Sequence, residues 1–303
     1  MLEQESSIRK PLCLYEVSEK KRGMTLAYRL LALDIDGTLL KNNNRLDRET
    51  KEAIQFAMDK GAAVTLVTER HFHSAAKVAK ALKLKYPIVT HNGAFISSSI
   101  DQPFYTSKIQ HEVLLQLVEF LETYQCQVRF SNEKMSVSNR SKQSNLLAKM
   151  TIGVSEPLFY PVTYVSSLSA YLREHNDDAT DVKVTLYKKN KDEVIQSIQD
   201  FFPSIQVKEE KDDVLILTRN GASKYNGLVR LAQHVGISLM DTVAVGDSYD
   251  DLEMIEKVGL GVAMRNAPEE VRRRADWVTR SNNMNGVAYM VKEVFRKQMK
   301  SYV

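Results

Sequence analysis

Residues 29–40 read RLLALDIDGTLL. Leu30 to Leu33 form an apolar run with no polar interruption. That is the pattern of a strand buried on both faces, as in a parallel sheet covered by helices. The run leaves into Asp34 and Asp36, followed by Gly37 and Thr38. Aspartate is a poor strand former and costly to bury unpaired. Two of them at the exit of an interior strand therefore mark an edge where negative charge has a use. Glycine beside them lets backbone approach closely and leaves N–H groups open to an anion.

The rest of the chain repeats this alternation. The stretch LDRETKEAIQFAMDKG has apolar residues at helical spacing, with Asp47 placed to cap it and Gly61 to end it. AAVTLVT (62–68) is a second buried strand, HSAAKVAKALKL a second helix, and PIVTHNGAFI a third strand that leaves through the turn signal Asn92-Gly93. From 94 to 206 the pattern changes to short alternating runs. QVRFS (127–131) and KMSVSN (134–139) read as a hairpin, VKVTLYK (182–188) as a strand, and 111–124 and 191–202 as amphipathic helices. The first pattern then returns. SKYNGLVRLAQHVG is a helix ending at Gly236, and DTVAVGDSYDDLEMIEKVG is strand, loop, helix. LGVAMRNAPEEVRRRADWVT is strand, turn, helix, with Pro268 near the helix start. The expected fold is α/β, a doubly wound, mostly parallel sheet built from 28–93 and 207–303, with an inserted α+β cap over 94–206. Residues 1–27 read as a polar extension, within which Met24 is an alternative start.

Charge narrows the partners. A net charge of +4 from 42 basic and 38 acidic residues is too balanced to call for nucleic acid. Arg272, Arg273 and Arg274 read as a solvated helix face. No apolar run reaches the roughly 18 residues needed to span a bilayer, and 1–27 has no signal-peptide core. Cys13 and Cys126 are far apart and outside any metal-ligand spacing, which fits a reduced, cytoplasmic protein.

In a parallel α/β sheet the strand exits share one edge, and ligands bind there. This chain would bring Asp34, Asp36, Thr68, Asp247, Asp250 and Asp251 to that edge. Carboxylates gathered so closely repel one another unless a cation neutralises them, and an all-oxygen set favours Mg²⁺. Phosphoryl transfer uses such a set: Asp34 as nucleophile, Asp36 to protonate the leaving oxygen, Thr68 as hydroxyl donor, Lys224 as positive charge and Asp247 with Asp34 as metal ligands.

DIDGTLL, a threonine at the end of strand two, SK before a helix and GDSYDD follow one another in an order that resembles the haloacid dehalogenase superfamily. The interrupted architecture looks like its Cof-type branch, phosphatases with a class IIB cap. The resemblance runs from Arg29 to Lys297. It implies Asp34 as nucleophile and Mg²⁺ ligand, and Asp36 as general acid/base with its backbone carbonyl on the metal. It implies Thr68 and the following N–H, that of Glu69, on phosphate, with Lys224 holding phosphate and nucleophile and Asp247 as metal ligand. It also places Asp250 near the phosphate.

Two positions depart from the pattern. Thr68-Glu69-Arg70 stands where the family has Thr-Gly-Arg, and Asp250 where it has Asn. A like charge at about 4 Å costs on the order of 4 kcal/mol at an effective dielectric near 20, so a slower or more metal-dependent enzyme is expected. The implied activity is Mg²⁺-dependent hydrolysis of small phosphorylated metabolites through an aspartyl-phosphate at Asp34. The protein would act as a monomer or weak dimer, without nucleic acid or membrane. The alternatives are a catalytically weak phospho-ligand sensor, motivated by Glu69 and Asp250, and a phosphomutase. Asp251 reads as a helix N-terminal charge, His71 and His73 as surface or packing residues, Arg70 as an ion pair or a ligand contact, and Trp277 as packing on the last helix.

Overall fold

The computed structural model describes residues 28–139, 162–188, 190–210 and 213–297. Cys13 and Met24 lie outside them. The chain opens with β1 (Leu30–Leu33), α1 (Arg48–Asp59), β2 (Ala63–Leu66), α2 (Phe72–Ala81) and β3 (Ile88–Thr90), followed by β4 (Phe95–Ser97) and β5 (Tyr105–Thr106). The middle holds α3 (His111–Leu121), β6 (Cys126–Ser131), β7 (Ser136–Asn139), β8 (Val162–Val165), α4 (Leu168–Glu174), β9 (Asp181–Leu186), α5 (Lys191–Phe201), β10 (Ile205–Glu209) and β11 (Val214–Arg219). The last part is α6 (Lys224–Val235), β12 (Thr242–Gly246), α7 (Leu252–Lys257), β13 (Leu260–Ala263), α8 (Glu269–Arg274), β14 (Trp277–Val278) and α9 (Gly286–Lys297).

The central sheet has the order β14-β13-β12-β1-β2, and every pairing in it is parallel. Each residue of β1 is fully buried, and its side chains alternate between two apolar layers. Leu31 and Leu33 pack in the cluster that includes Ile54, Phe72, Val291 and Phe295. Leu30 and Ala32 pack with Leu228, Leu231 and Met254 on the other face. Full burial of one such leucine contributes about 1.5–3 kcal/mol. Local signals agree with this packing. The Asp47 side chain accepts from the Glu49 N–H at 2.9 Å and starts α1, while Gly61 (φ +93°) and Gly236 (φ +66°) follow α1 and α6 in the left-handed conformation. Trp277 rests on Tyr289 of α9, with ring centroids 5.9 Å apart.

Register fixes the site. Leu33 lies opposite both Leu66 and Val245, so β1, β2 and β12 end level with one another. Asp34, Thr68 and Asp247 consequently emerge at one edge, where β1 separates strands reached by different crossovers.

The third strand joins this sheet only at its tip, through the parallel bridge Val67–Val89 and a Thr68 N–H to Val89 O bond of 3.0 Å. Two expected boundaries need correction. β4 and β5 fold back on β3 as an antiparallel three-stranded unit, so the segment after residue 93 stays with the first domain. β10 and β11 belong to the six-stranded cap sheet, ordered β10-β11-β9-β6-β7-β8, so a boundary at 206/207 would cut through β10. Both errors have one cause: short alternating strands carry the same pattern whichever sheet they join. The expected hairpin is present as β6 and β7, and α3, α4 and α5 cover an apolar core of the cap's own.

Candidate active site

After β1 the chain makes one wide turn over Ile35–Leu39, closed by the Leu40 N–H to Ile35 O bond at 3.0 Å. Gly37 sits in it at φ +74°. A Cβ at Gly37 would lie 2.1 Å from Asp247 Oδ2, so glycine is required both by the backbone conformation and by the approach of that carboxylate. Thr38 donates to Asp247 Oδ1 at 3.0 Å, and Asn266 donates to the Gly37 carbonyl at 2.9 Å and to Asp247 Oδ2 at 3.1 Å. The turn and Asp247 are therefore held as one unit.

Lys224, the first residue of α6, is buried between two carboxylates. Its Nζ donates to Asp34 Oδ1 at 2.8 Å and to Asp251 Oδ1 at 2.7 Å. Burial opposes its charge, but Asp251 and Asp34 outweigh burial and hold the lysine well above its ordinary pKa. Asp251 is saturated: its other oxygen accepts from the Asp247 N–H, the Ser248 N–H and the Ser248 hydroxyl at 3.0, 2.9 and 2.8 Å. It holds the loop after β12 and the lysine together, as its helix-terminal position leads one to expect.

Asp34, Asp247 and Asp251 present carboxylate oxygens within 4.8 Å of one another. Burial, with the charges of Asp251 and Asp247, pushes Asp34 well above the ordinary carboxylate range despite the lysine. Burial and Asp251 push Asp247 up to about 6. A buried and a half-buried acid that resist ionisation next to a single lysine are short of positive charge. Asp251 already accepts four hydrogen bonds, one from Lys224 and three from the loop, so Asp34 and Asp247 are the residues that could hold a cation, and their hard oxygens suit a divalent ion of the Mg²⁺ type.

Asp36 lies at the mouth of the cleft in a two-pronged ion pair with Arg70. Arg70 Nε donates to Oδ2 at 2.6 Å and an NH group to Oδ1 at 2.5 Å. The Thr68 hydroxyl oxygen accepts from the Arg70 N–H at 3.2 Å, which leaves its proton to be donated elsewhere. Glu69 and Asp250 turn their side chains to one cap residue. Lys208 of β10 donates to Glu69 Oε1 at 3.0 Å and also pairs with Asp250 Oδ2. Asp34, Asp36, Thr68, Lys208, Lys224 and Ser248 line a cleft of about 200 Å³.

A recess beside it is lined by His71, His91 and Asp181, among others. Both ring nitrogens of His91 are engaged: Nε2 accepts from the Phe72 N–H at 3.3 Å and Nδ1 meets the Thr180 hydroxyl at 2.9 Å. This triad therefore reads as a contact between core and cap rather than a metal centre. Sequence reasoning gave no role to Lys208 or Asn266, and named Thr38 only as part of the first motif. Asn266, before the turn-forming Ala-Pro, carried a local signal, and Lys208 carried none.

A family model described as haloacid dehalogenase-like hydrolase matches residues 31–291. The chain belongs to this family. Several of its relatives in the family are named phosphatases. It is 46% identical to the stress response protein YhaX of Bacillus subtilis over 91% of this chain and 96% of that one. It is 29% identical to the 5-amino-6-(5-phospho-D-ribitylamino)uracil phosphatase YitU of the same organism, over 88% and 97%. Among solved folds, a haloacid dehalogenase-like hydrolase from Bacteroides thetaiotaomicron superposes with a TM-score of 0.76 at 23% identity, covering 88% of this chain and all of the other. A subclass IIB sugar phosphatase of the family superposes with a TM-score of 0.70 at 24% identity, covering 88% and 98%. Hydrolases of this family use a divalent metal. Among the described residues no helix is long and apolar enough to cross a membrane.

Proposed function

We propose that this hydrolase is a Mg²⁺-dependent phosphatase of small phosphorylated metabolites, acting through an aspartyl-phosphate on Asp34. One observation carries the reading: a buried Asp34, one oxygen fixed by Lys224, stands beside Asp247 at the level exit of three parallel strands. Asp34, Asp247 and the Asp36 carbonyl would hold the ion. When bound it offsets the negative charge of the phosphate and keeps the carboxylates ionised.

The chain's own groups perform the steps. The Asp34 oxygen not held by Lys224 attacks phosphorus, and the ester P–O bond breaks. Asp36, released from Arg70, protonates the departing alkoxide. It then takes a proton from a water that attacks the phosphorus of the acyl phosphate, which frees inorganic phosphate and restores Asp34. Lys224, the Thr68 hydroxyl and the Glu69 N–H bind the transferring oxygens. We assign residues 28–107 and 222–297 to the catalytic domain and the segment between to the cap, which covers the cleft and selects the leaving group. Metabolites the size of a sugar phosphate or a phosphorylated ribitylamino compound match what the matched relatives are named for.

The test is phosphate release from an aryl phosphate with Mg²⁺ and with chelator, for wild type and Asp34→Asn. Activity requiring both the metal and Asp34 is expected. Release that persists in Asp34→Asn would refute the covalent route. A phospho-ligand sensor would show thermal stabilisation by ligand without release, and a mutase would move phosphate between positions of a sugar without freeing it. Lys208 offsets part of the charge of Glu69 and Asp250, which supports an active enzyme over a sensor.

A further inference from the structure

Glu69 and Asp250 come from different loops of the catalytic domain, one after β2 and one after β12. Both face the cleft that holds Asp34 and Lys224. Glu69 is close enough to add to the charge holding Lys224 protonated. Two carboxylates so placed repel an incoming phosphate dianion. The countercharge comes from the cap: Lys208 Nζ bridges the two. Lys208 sits on β10, an edge strand of the cap sheet, and its side chain is about one-third exposed. Two acids on separate core loops thus share one ammonium group on a different domain.

We propose that Lys208 is a specificity-determining residue lent to the active site by the cap, one that makes the cleft able to accept a phosphate only while β10 lies against the core. With the cap seated, Lys208 offsets one of the two negative charges and draws both carboxylates to itself, so an incoming dianion meets less repulsion. With the cap lifted, the two acids face the cleft uncompensated and phosphate is turned away. Hydrolysis is thereby tied to cap closure by charge as well as by exclusion of water. Substrates whose leaving group keeps β10 from seating are rejected even if their phosphate fits.

The inference rests on the proposed phosphatase reading, and its test separates the two. Four proteins are compared: wild type, Lys208→Met, Glu69→Gln/Asp250→Asn, and the variant combining all three changes. Each is assayed for kcat/KM on an aryl phosphate with Mg²⁺, and for inorganic phosphate binding by calorimetry. Lys208→Met is expected to lose at least tenfold in both. The combined variant is expected to return to within threefold of wild type, because the charges that needed Lys208 are gone. Lys208→Arg should stay within threefold. A residue that merely packs would show no such recovery. If Lys208→Met misfolds, Lys208→Gln takes its place. Wild-type values in Lys208→Met, or a combined variant as impaired as Lys208→Met, would overturn the inference. If wild type releases no phosphate at all, the phosphatase reading fails, while the phosphate-binding comparison still decides the role of Lys208.

Discussion

Two glycines allow the geometry of the site to be tested apart from the stability of the fold. Gly37 and Gly61 both hold a positive φ, +74° and +93°. Replacing either with alanine costs about 1–2 kcal/mol through the left-handed backbone alone, so both variants should melt a few degrees early. They differ in what the new methyl group meets. At Gly61 nothing lies within 4 Å, whereas at Gly37 the Cβ would sit 2.1 Å from Asp247 Oδ2 and 2.6 Å from its Cγ. An ordinary contact needs slightly more than 3 Å, so Asp247 must retreat by about 1 Å, a misplacement that costs on the order of 100-fold in rate. Gly37→Ala should therefore lose about 100-fold in kcat/KM and need more Mg²⁺ for half-maximal rate. Gly61→Ala should keep both. The assay is aryl-phosphate hydrolysis across a Mg²⁺ titration, with thermal melting on the same samples. A Gly37→Ala enzyme within threefold of wild type would refute the reasoning. So would a Gly61→Ala enzyme that loses activity to the same degree.

Lys224→Met leaves Asp34 and Asp251 buried without their shared cation. Urea unfolding at pH 7 in chelator should show a loss of about 3–5 kcal/mol, and a loss below about 1 would contradict the buried pairing. Burial first, and then the charge of Glu122, push the Cys126 thiol up to about 11. In a Cys13→Ser background, iodoacetamide at pH 8 should therefore label the native protein far more slowly than the urea-unfolded chain, with equal rates as the refuting result. Burial would raise the Glu133 carboxyl, but the 2.9 Å hydrogen bond from Lys108 holds it below its ordinary value. A lowered folded pKa gives stability that is present above the unfolded pKa and lost as pH falls through the folded one. Glu133→Gln should then cost about 1 kcal/mol at pH 7 and nothing near pH 2, as read from denaturation midpoints at the two pH values.

What sequence reasoning recovered was written locally. The apolar run Leu30 to Leu33 with its polar exit, the Asp47 cap and the Gly236 stop each concern a few neighbouring residues, and each stands in the structure as read. The gathering of Asp34, Lys224 and Asp247 followed as well, because parallel strands of matched register bring their exits to one edge. Lys208 was beyond reach. Its role depends on how the cap sheet lies over a loop 139 positions away in the chain, and an exposed lysine on an edge strand has no signature of its own. The pairing of Glu69 and Asp250 with Lys208 lay in the same blind spot, since a single sequence shows the charges but not their partner. Asp36 was legible as an acid just past the end of β1. Its grip by Arg70 required knowing that the residue after Glu69 turns back toward β1.

The points where the chain leaves for the cap and returns from it lie side by side. The Ser107 N–H binds the Ala94 carbonyl at 2.7 Å, and the neighbouring Gly93 packs so tightly on Ser223 that a Cβ there would overlap its carbonyl. The segment between is a cassette entered and left at one place, so changes within it that spare its contacts at His91 and Lys208 need not disturb the register of β1, β2 and β12. Lineages sharing this chemistry would then diversify by rewriting the cassette, and swapped caps should yield folded hybrids with a changed diet of substrates. Lys208 limits that freedom here: a borrowed cap must bring its own cation to the mouth, or the host must surrender Glu69 and Asp250.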